Sequence, residues 1–130
     1  MSATGSAHRL QEFLYVLLRF ASGFCLACHG AQKLFGLLGG PRLPVGGQLW
    51  FGGIIELACG LGIALGLSRW AAFLASGTMA VAYVQFHWQL HLGARLLPVV
   101  NKGELALVYS LLFAYFAARG AGSRKLGKGR

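Results

Sequence analysis

The chain has 130 residues, of which 56% are hydrophobic and 12% charged, whereas an ordinary soluble domain is about 25% charged. There is too little polar residue to clothe the helices of a water-soluble domain, and the length allows one domain, 1–130. The net charge of +9 does not make a nucleic-acid binder, because five of the twelve basic residues, Arg119, Arg124, Lys125, Lys128 and Arg130, fall in the last twelve positions and read as an anchor beside anionic lipid.

Four apolar stretches follow in chain order, and a membrane-crossing helix needs about 20 mostly apolar residues. The first covers about 13–35 and carries Arg19, His29 and Lys33. Gly39, Gly40, Pro41, Pro44, Gly46 and Gly47 then mark a loop. The second stretch, about 49–67, holds a single charge, Glu56, and Ser68 with Arg69 makes a tight turn in which Ser68 is placed to cap the next helix. The third runs over about 70–91, and Pro98, Asn101 and Gly103 mark a further loop before the fourth, about 104–118. The runs are continuous and do not alternate, so they are helices and not barrel strands. The expected fold is an all-α, four-helix transmembrane bundle. Twenty glycines suit it, because small residues let helices approach closely in lipid.

Orientation follows the Lys and Arg residues. Arg9, Arg69 and the five tail charges fall on one side, against Lys33, Arg42, Arg95 and Lys102 on the other, seven to four. Both termini are therefore expected in the cytoplasm. No small-x-small cleavage pattern precedes Gly30, so the first helix reads as retained.

Charged groups in hydrocarbon turn inward and find partners. Arg19, Gly23, Gly30 and Lys33 lie at offsets of 0, 4, 11 and 14, which at about 100° per residue is one helix face. Gly53, Glu56 and Gly60 share a face of the second helix, and Gly62 with Gly66 makes a small-xxx-small pair. Met79, Tyr83, His87 and His91 recur every four residues, with Gln85 and Gln89 as a separate pair. With the termini inside, Lys33, Glu56, His87, His91 and Glu104 gather in the outer half, and Arg19 stays in the inner half as an intramembrane charge. Such a cluster is either a set of interfacial groups satisfied by water, lipid and one another, or a polar pocket for a small amphipathic ligand. Glu56, the acid well inside a span, must be paired or protonated, with Lys33 as its natural partner and Arg19 as an alternative if the helices tilt.

The pattern Arg19…Gly30-x-x-Lys33-Leu34-Phe35, Glu56-x-x-x-Gly60-x-x-x-x-Leu65-Gly66, Arg69, Met79, His87 or His91, and Gly103-Glu104 resembles the DoxX family. The resemblance implies a small four-helix protein of the bacterial inner membrane. Some members are subunits of quinone-linked oxidoreductases, including a thiosulfate:quinone enzyme. It therefore implies a multi-pass subunit with other membrane or soluble redox proteins as partners and no nucleic acid. Such a subunit has no covalent cofactor or redox centre of its own. Quinone is the ligand that the outer cluster would hydrogen-bond. The alternatives are a small transporter or binding protein for an apolar solute, or a purely structural subunit. The basic tail departs from the family pattern.

Cys25-Leu26-Ala27-Cys28-His29 has the spacing of covalent haem attachment. It lies inside an apolar helix, out of reach of attachment machinery, so Cys25 and Cys28 are expected to pack as small buried residues without haem. His87 and His91 one helical turn apart would need Glu104 as a third ligand to hold a metal, and no metal is expected. The topology is checked by fusions. A reporter active only in the cytoplasm should work after Arg130 and be silent at Gly40; the opposite pattern would invert the orientation.

Overall fold

The computed structural model of the protein describes residues 3–120, and every regular element among them is helical. Helix α1 spans Ala3–Phe35, α2 Gln48–Ala64, α3 Arg69–Ala82 and α4 Glu104–Arg119. α1 packs along α2, α3 along α4, and the two pairs meet mainly where α2 touches α3. α1 and α4 also meet at one end, where the Tyr15 hydroxyl donates to the Gly120 carbonyl and the Tyr15 ring stands edge-on to Phe116 at 5.4 Å. The tail charges Arg124, Lys125, Lys128 and Arg130 lie outside the described residues.

Apolar side chains cover the outside of the bundle as well as filling its core. Phe13, Leu17, Phe20 and Phe24 are about half exposed along α1, and Trp70, Phe73, Leu111 and Val108 are still more exposed. Arg19, Ser22, Glu56, Asn101 and Ser110 are buried. Lipid tails solvate the first set, and the second find partners only inside. At 33 residues, α1 is the one helix among the described residues both long and apolar enough to cross a bilayer on its own figures, and α2 is a shorter apolar helix.

The expected faces of α1 and α2 meet backbone to backbone. A Cβ on Gly60 would lie 2.5 Å from the Ala27 nitrogen and 2.6 Å from the Gly23 carbonyl oxygen, and one on Gly23 would lie 2.6 Å from the Gly60 oxygen. Gly30 repeats the contact seven residues on, against the Gly53 oxygen at 2.6 Å. Gly62 instead faces Ala71 of α3. α2 ends in a left-handed turn at Gly66, with the Leu67 N–H donating to the Gly62 carbonyl at 2.9 Å and Gly66 to Ile63 at 3.1 Å, an arrangement that glycine adopts without steric cost. Ser68 caps α3 as expected, accepting from the Trp70 N–H at 3.1 Å.

Two expectations fail at the far end of α3. The helix runs to Ala82 and continues as a π-helical turn, Tyr83–Trp88, closed by the Gln89 N–H donating to the Val84 carbonyl at 2.8 Å. Gln89 and Leu90 then turn left-handed, with φ of 53° and 58°, so the helical path stops before His91. The third segment is therefore shorter than 70–91, and His91 is not one helical turn beyond His87. Gln85 likewise pairs with Gln48 of α2, through reciprocal amide bonds of 2.8 and 3.1 Å, and not with Gln89.

The α1–α2 contact predicts a sharp contrast between two glycines of α2. Gly60→Ala should lower stability by about 3 kcal/mol, since backbone and not a flexible side chain must move aside. Gly52→Ala, which meets nothing within 4 Å, should be neutral or stabilising by up to about 1 kcal/mol. Thermal unfolding in mild detergent checks both, and equal effects would refute the close contact.

Candidate functional site

The glycine contact also places the charged pair. A Cβ on Gly53 would lie 2.9 Å from the Lys33 Cβ, so the absent side chain makes room for the lysine stem to lie across α2. From there Lys33 Nζ reaches Glu56 Oε1 at 2.5 Å, with the two side chains 29% and 5% exposed. Lys33, and not Arg19, is thus the partner of Glu56. The other carboxylate oxygen, Oε2, is buried and has no hydrogen-bond partner among the described residues. A buried acceptor left open is expensive, because it has given up water without a replacement.

Two cavities border this pair. One, of about 290 Å³, lies between α1, α3 and α4 and brings His29, His87, Lys102 and Tyr109 around Lys33 and Glu56, with Leu26, Met79, Leu105 and Ala106 as its apolar wall. The other, of about 490 Å³, lies between α2 and α3 and is lined mainly by apolar groups, among them Leu49, Phe51, Ile55, Phe73, Leu74, Val81 and Phe86. Together they form a chamber in which polar side chains are set in an apolar wall and a more apolar groove, and the two share Lys33 and Glu56.

A buried amide holds the rim of the chamber. Asn101 donates to the Tyr83 hydroxyl at 3.2 Å and to the Arg95 carbonyl at 3.1 Å, and accepts from the Gly103 N–H at 2.8 Å. A Cβ on Gly103 would fall 2.8 Å from the His87 Cβ and 2.7 Å from the Tyr83 ring. The loop before α4 is therefore seated directly on the π turn that carries His87. π turns of this kind are frequent at functional sites.

Of the five residues expected to cluster, Lys33, Glu56 and His87 do so. His91 is exposed, its ring facing the Trp88 carbonyl at 3.2 Å while its own carbonyl accepts from the Trp88 indole at 2.8 Å. Glu104 is exposed at the start of α4. His29, Lys102 and Tyr109 join Lys33, Glu56 and His87 there instead. His29 stands four residues before Lys33 on α1, a spacing legible in the sequence. Lys102 enters through its left-handed backbone, φ 63°, which no local residue pattern signals.

Arg19 sits at the opposite end. It is 5% exposed, and its guanidinium lies where a Cβ on Gly66 would fall, 2.6 Å from the guanidinium carbon. The cavity beside it holds about 20 Å³, room for one water. Nearby, Arg119 stacks on the Tyr15 ring, 3.8 Å from its centre, and pairs with Glu12. Cys25, Cys28 and Cys59 are free thiols, exposed, half-buried and buried in turn. Cys25 is thus not the buried packing residue that was expected. Among the described residues no three His, Cys, Asp or Glu side chains group as metal ligands.

A family model described as DoxX matches residues 14–88. An uncharacterized protein of Haemophilus influenzae is 35% identical over 125 residues, covering 88% of this chain and 89% of that one. No solved structure matches.

The Lys33–Glu56 geometry predicts a coupled pair. Lys33→Met should destabilise the protein by about 3 kcal/mol, the lower end for a broken buried pair because the lysine is partly exposed. Adding Glu56→Leu to Lys33→Met should recover most of the loss, since the stranded carboxylate is gone. Additive losses in a double-mutant cycle would show that the two groups are independent.

Proposed function

This chain belongs to the DoxX family, and from that membership we propose a multi-pass inner-membrane subunit of an oxidoreductase system that engages a quinone or quinol. In this reading both termini are cytoplasmic and the helices cross the bilayer four times. The observation that carries it is the unpartnered, buried Oε2 of Glu56, a residue that lines both the chamber and the apolar groove. A ligand with a compact polar head and a hydrocarbon tail matches that division. The head hydrogen-bonds within the chamber, and the tail lies along the α2–α3 groove among Phe51, Phe73 and Phe86.

The chain's own residues supply position and proton traffic. On quinol oxidation the two electrons pass to a redox centre on a partner subunit. Glu56 accepts one of the two protons released, with the His87 or His29 imidazole as acceptor for the other. Lys33 holds the carboxylate in place and keeps its charge compensated until the proton arrives. The chain contributes no electron acceptor of its own; that chemistry belongs to the partner.

Glu56→Gln separates this role from a structural one. The amide keeps size and hydrogen bonding but takes up no proton, so quinol turnover with the partner should fall at least ten-fold while thermal stability in detergent drops little. Glu56→Leu should damage both. Normal quinol binding and turnover by Glu56→Gln would make the carboxylate structural. Ligand-driven flux in liposomes without electron transfer would instead identify a carrier for an apolar solute.

A further inference from the structure

Hydrogen-bond polarity in the chamber bears on which redox form of the ligand is held. Glu56 is the acid of an ion pair, so both of its oxygens accept and neither donates. Lys33 occupies Oε1, and Oε2 is buried with no partner among the described residues. The terminal torsion of a carboxylate is broad, so a rotation that keeps Oε1 on Lys33 presents Oε2 to a head group in the chamber. What completes it must bring an O–H or N–H.

The other polar groups do not discriminate in the same way. Lys33 and Lys102 only donate, and they serve a carbonyl or a hydroxyl oxygen alike. The Tyr109 hydroxyl and the His29 and His87 rings take either role. A quinone head has two carbonyl acceptors and no donor, so it satisfies the lysines and leaves Oε2 open. A quinol head satisfies the same lysines through its oxygen lone pairs and donates its O–H to Glu56.

Resting on the quinone reading of this site, we infer that Glu56 makes it selective for the reduced form. The chamber binds the hydroxyl-bearing quinol in preference to the quinone by one charge-assisted hydrogen bond. Such a bond corresponds to about a ten-fold to hundred-fold ratio of affinities. Tighter binding of the reduced form raises the potential of the bound couple, by about 30 mV for each ten-fold for a two-electron pair. The bound ligand is thus a poorer reductant than the same ligand in the membrane, and the site acts as a reservoir of quinol.

The test uses the full-length protein in lipid nanodiscs under anaerobic conditions. A benzoquinone bearing one isoprenoid unit and its chemically reduced quinol are titrated separately, with tryptophan fluorescence as the readout. The quinol should bind at least ten-fold more tightly. In Glu56→Gln the amide both donates and accepts, so the ratio should fall to near one. Because both ligands are titrated into the same preparation, any inactive fraction cancels in that ratio. Equal affinities in the unmodified protein, or a preference for the quinone, would overturn the selectivity while leaving the quinone site intact. A preference that persists in Glu56→Gln would remove Glu56 as its source. Binding of neither form would remove the quinone reading itself and this inference with it.

Discussion

Where their glycines meet, α1 and α2 lie backbone against backbone, and the rest of the molecule is arranged around that contact. In lipid there is no hydrophobic drive to bring two apolar helices together, so association rests on close packing and internal polar contacts. Gly23, Gly30, Gly53 and Gly60 supply the first by letting carbonyl oxygens of one helix lie against the other. Lys33 and Glu56 supply the second, at the end where Gly53 leaves room for the lysine stem. The ion pair is costly to bury and is tolerated because the helices are held close enough to place Nζ on the carboxylate.

The same contact divides the molecule into unlike halves. Along the glycines, α1 and α2 touch backbone to backbone. Between α3 and α4 the interface is filled by Ala75, Met79 and Phe113, with the Ser76 hydroxyl donating to the Ser110 carbonyl at 2.6 Å. Open volume collects where the halves face one another, in the groove between α2 and α3 and in the chamber beside it. The two ends of the bundle also differ in chemistry. At one, Tyr15 and Glu12 of α1 hold Arg119 at the end of α4, and Arg19 borders a space for one water beside Gly66 and Phe116. At the other, acid, amines and imidazoles surround a space large enough for an organic head group.

What the sequence revealed and what it hid follow one physical rule. Helical periodicity is exact as long as the helix is regular, so the faces of α1 and α2, the Ser68 cap and the Lys33–Glu56 pair were all legible from spacing. Beyond Ala82 the backbone leaves α-geometry without a proline or glycine to announce it. The π turn at Tyr83–Trp88 and the left-handed Gln89 and Leu90 shift every residue after them. The i, i+4 extrapolation from His87 to His91 fails there for that reason, and so does the Gln85–Gln89 pair. Lys102 reaches the chamber from the folded-back loop that Asn101 holds, and Tyr109 from α4 beyond it, a long-range arrangement that no local pattern encodes. His29, one helical turn before Lys33, shares the lysine's face, but its place in Cys25-x-x-Cys28-His29 points to haem instead.

The α2–α3 groove opens on the side of the molecule, among residues that lipid tails would cover, Phe51, Phe73 and Leu74 among them. A molecule entering there arrives sideways from within the leaflet and never crosses the aqueous boundary. Its effective concentration is then its mole fraction in the bilayer, a two-dimensional quantity set by how strongly it partitions into lipid. A longer hydrocarbon tail strengthens apparent binding by enriching the molecule around the protein, even where the added carbons touch no side chain. On the quinone reading, water-soluble analogues that keep the head group but lack a tail would have to reach the groove by another route.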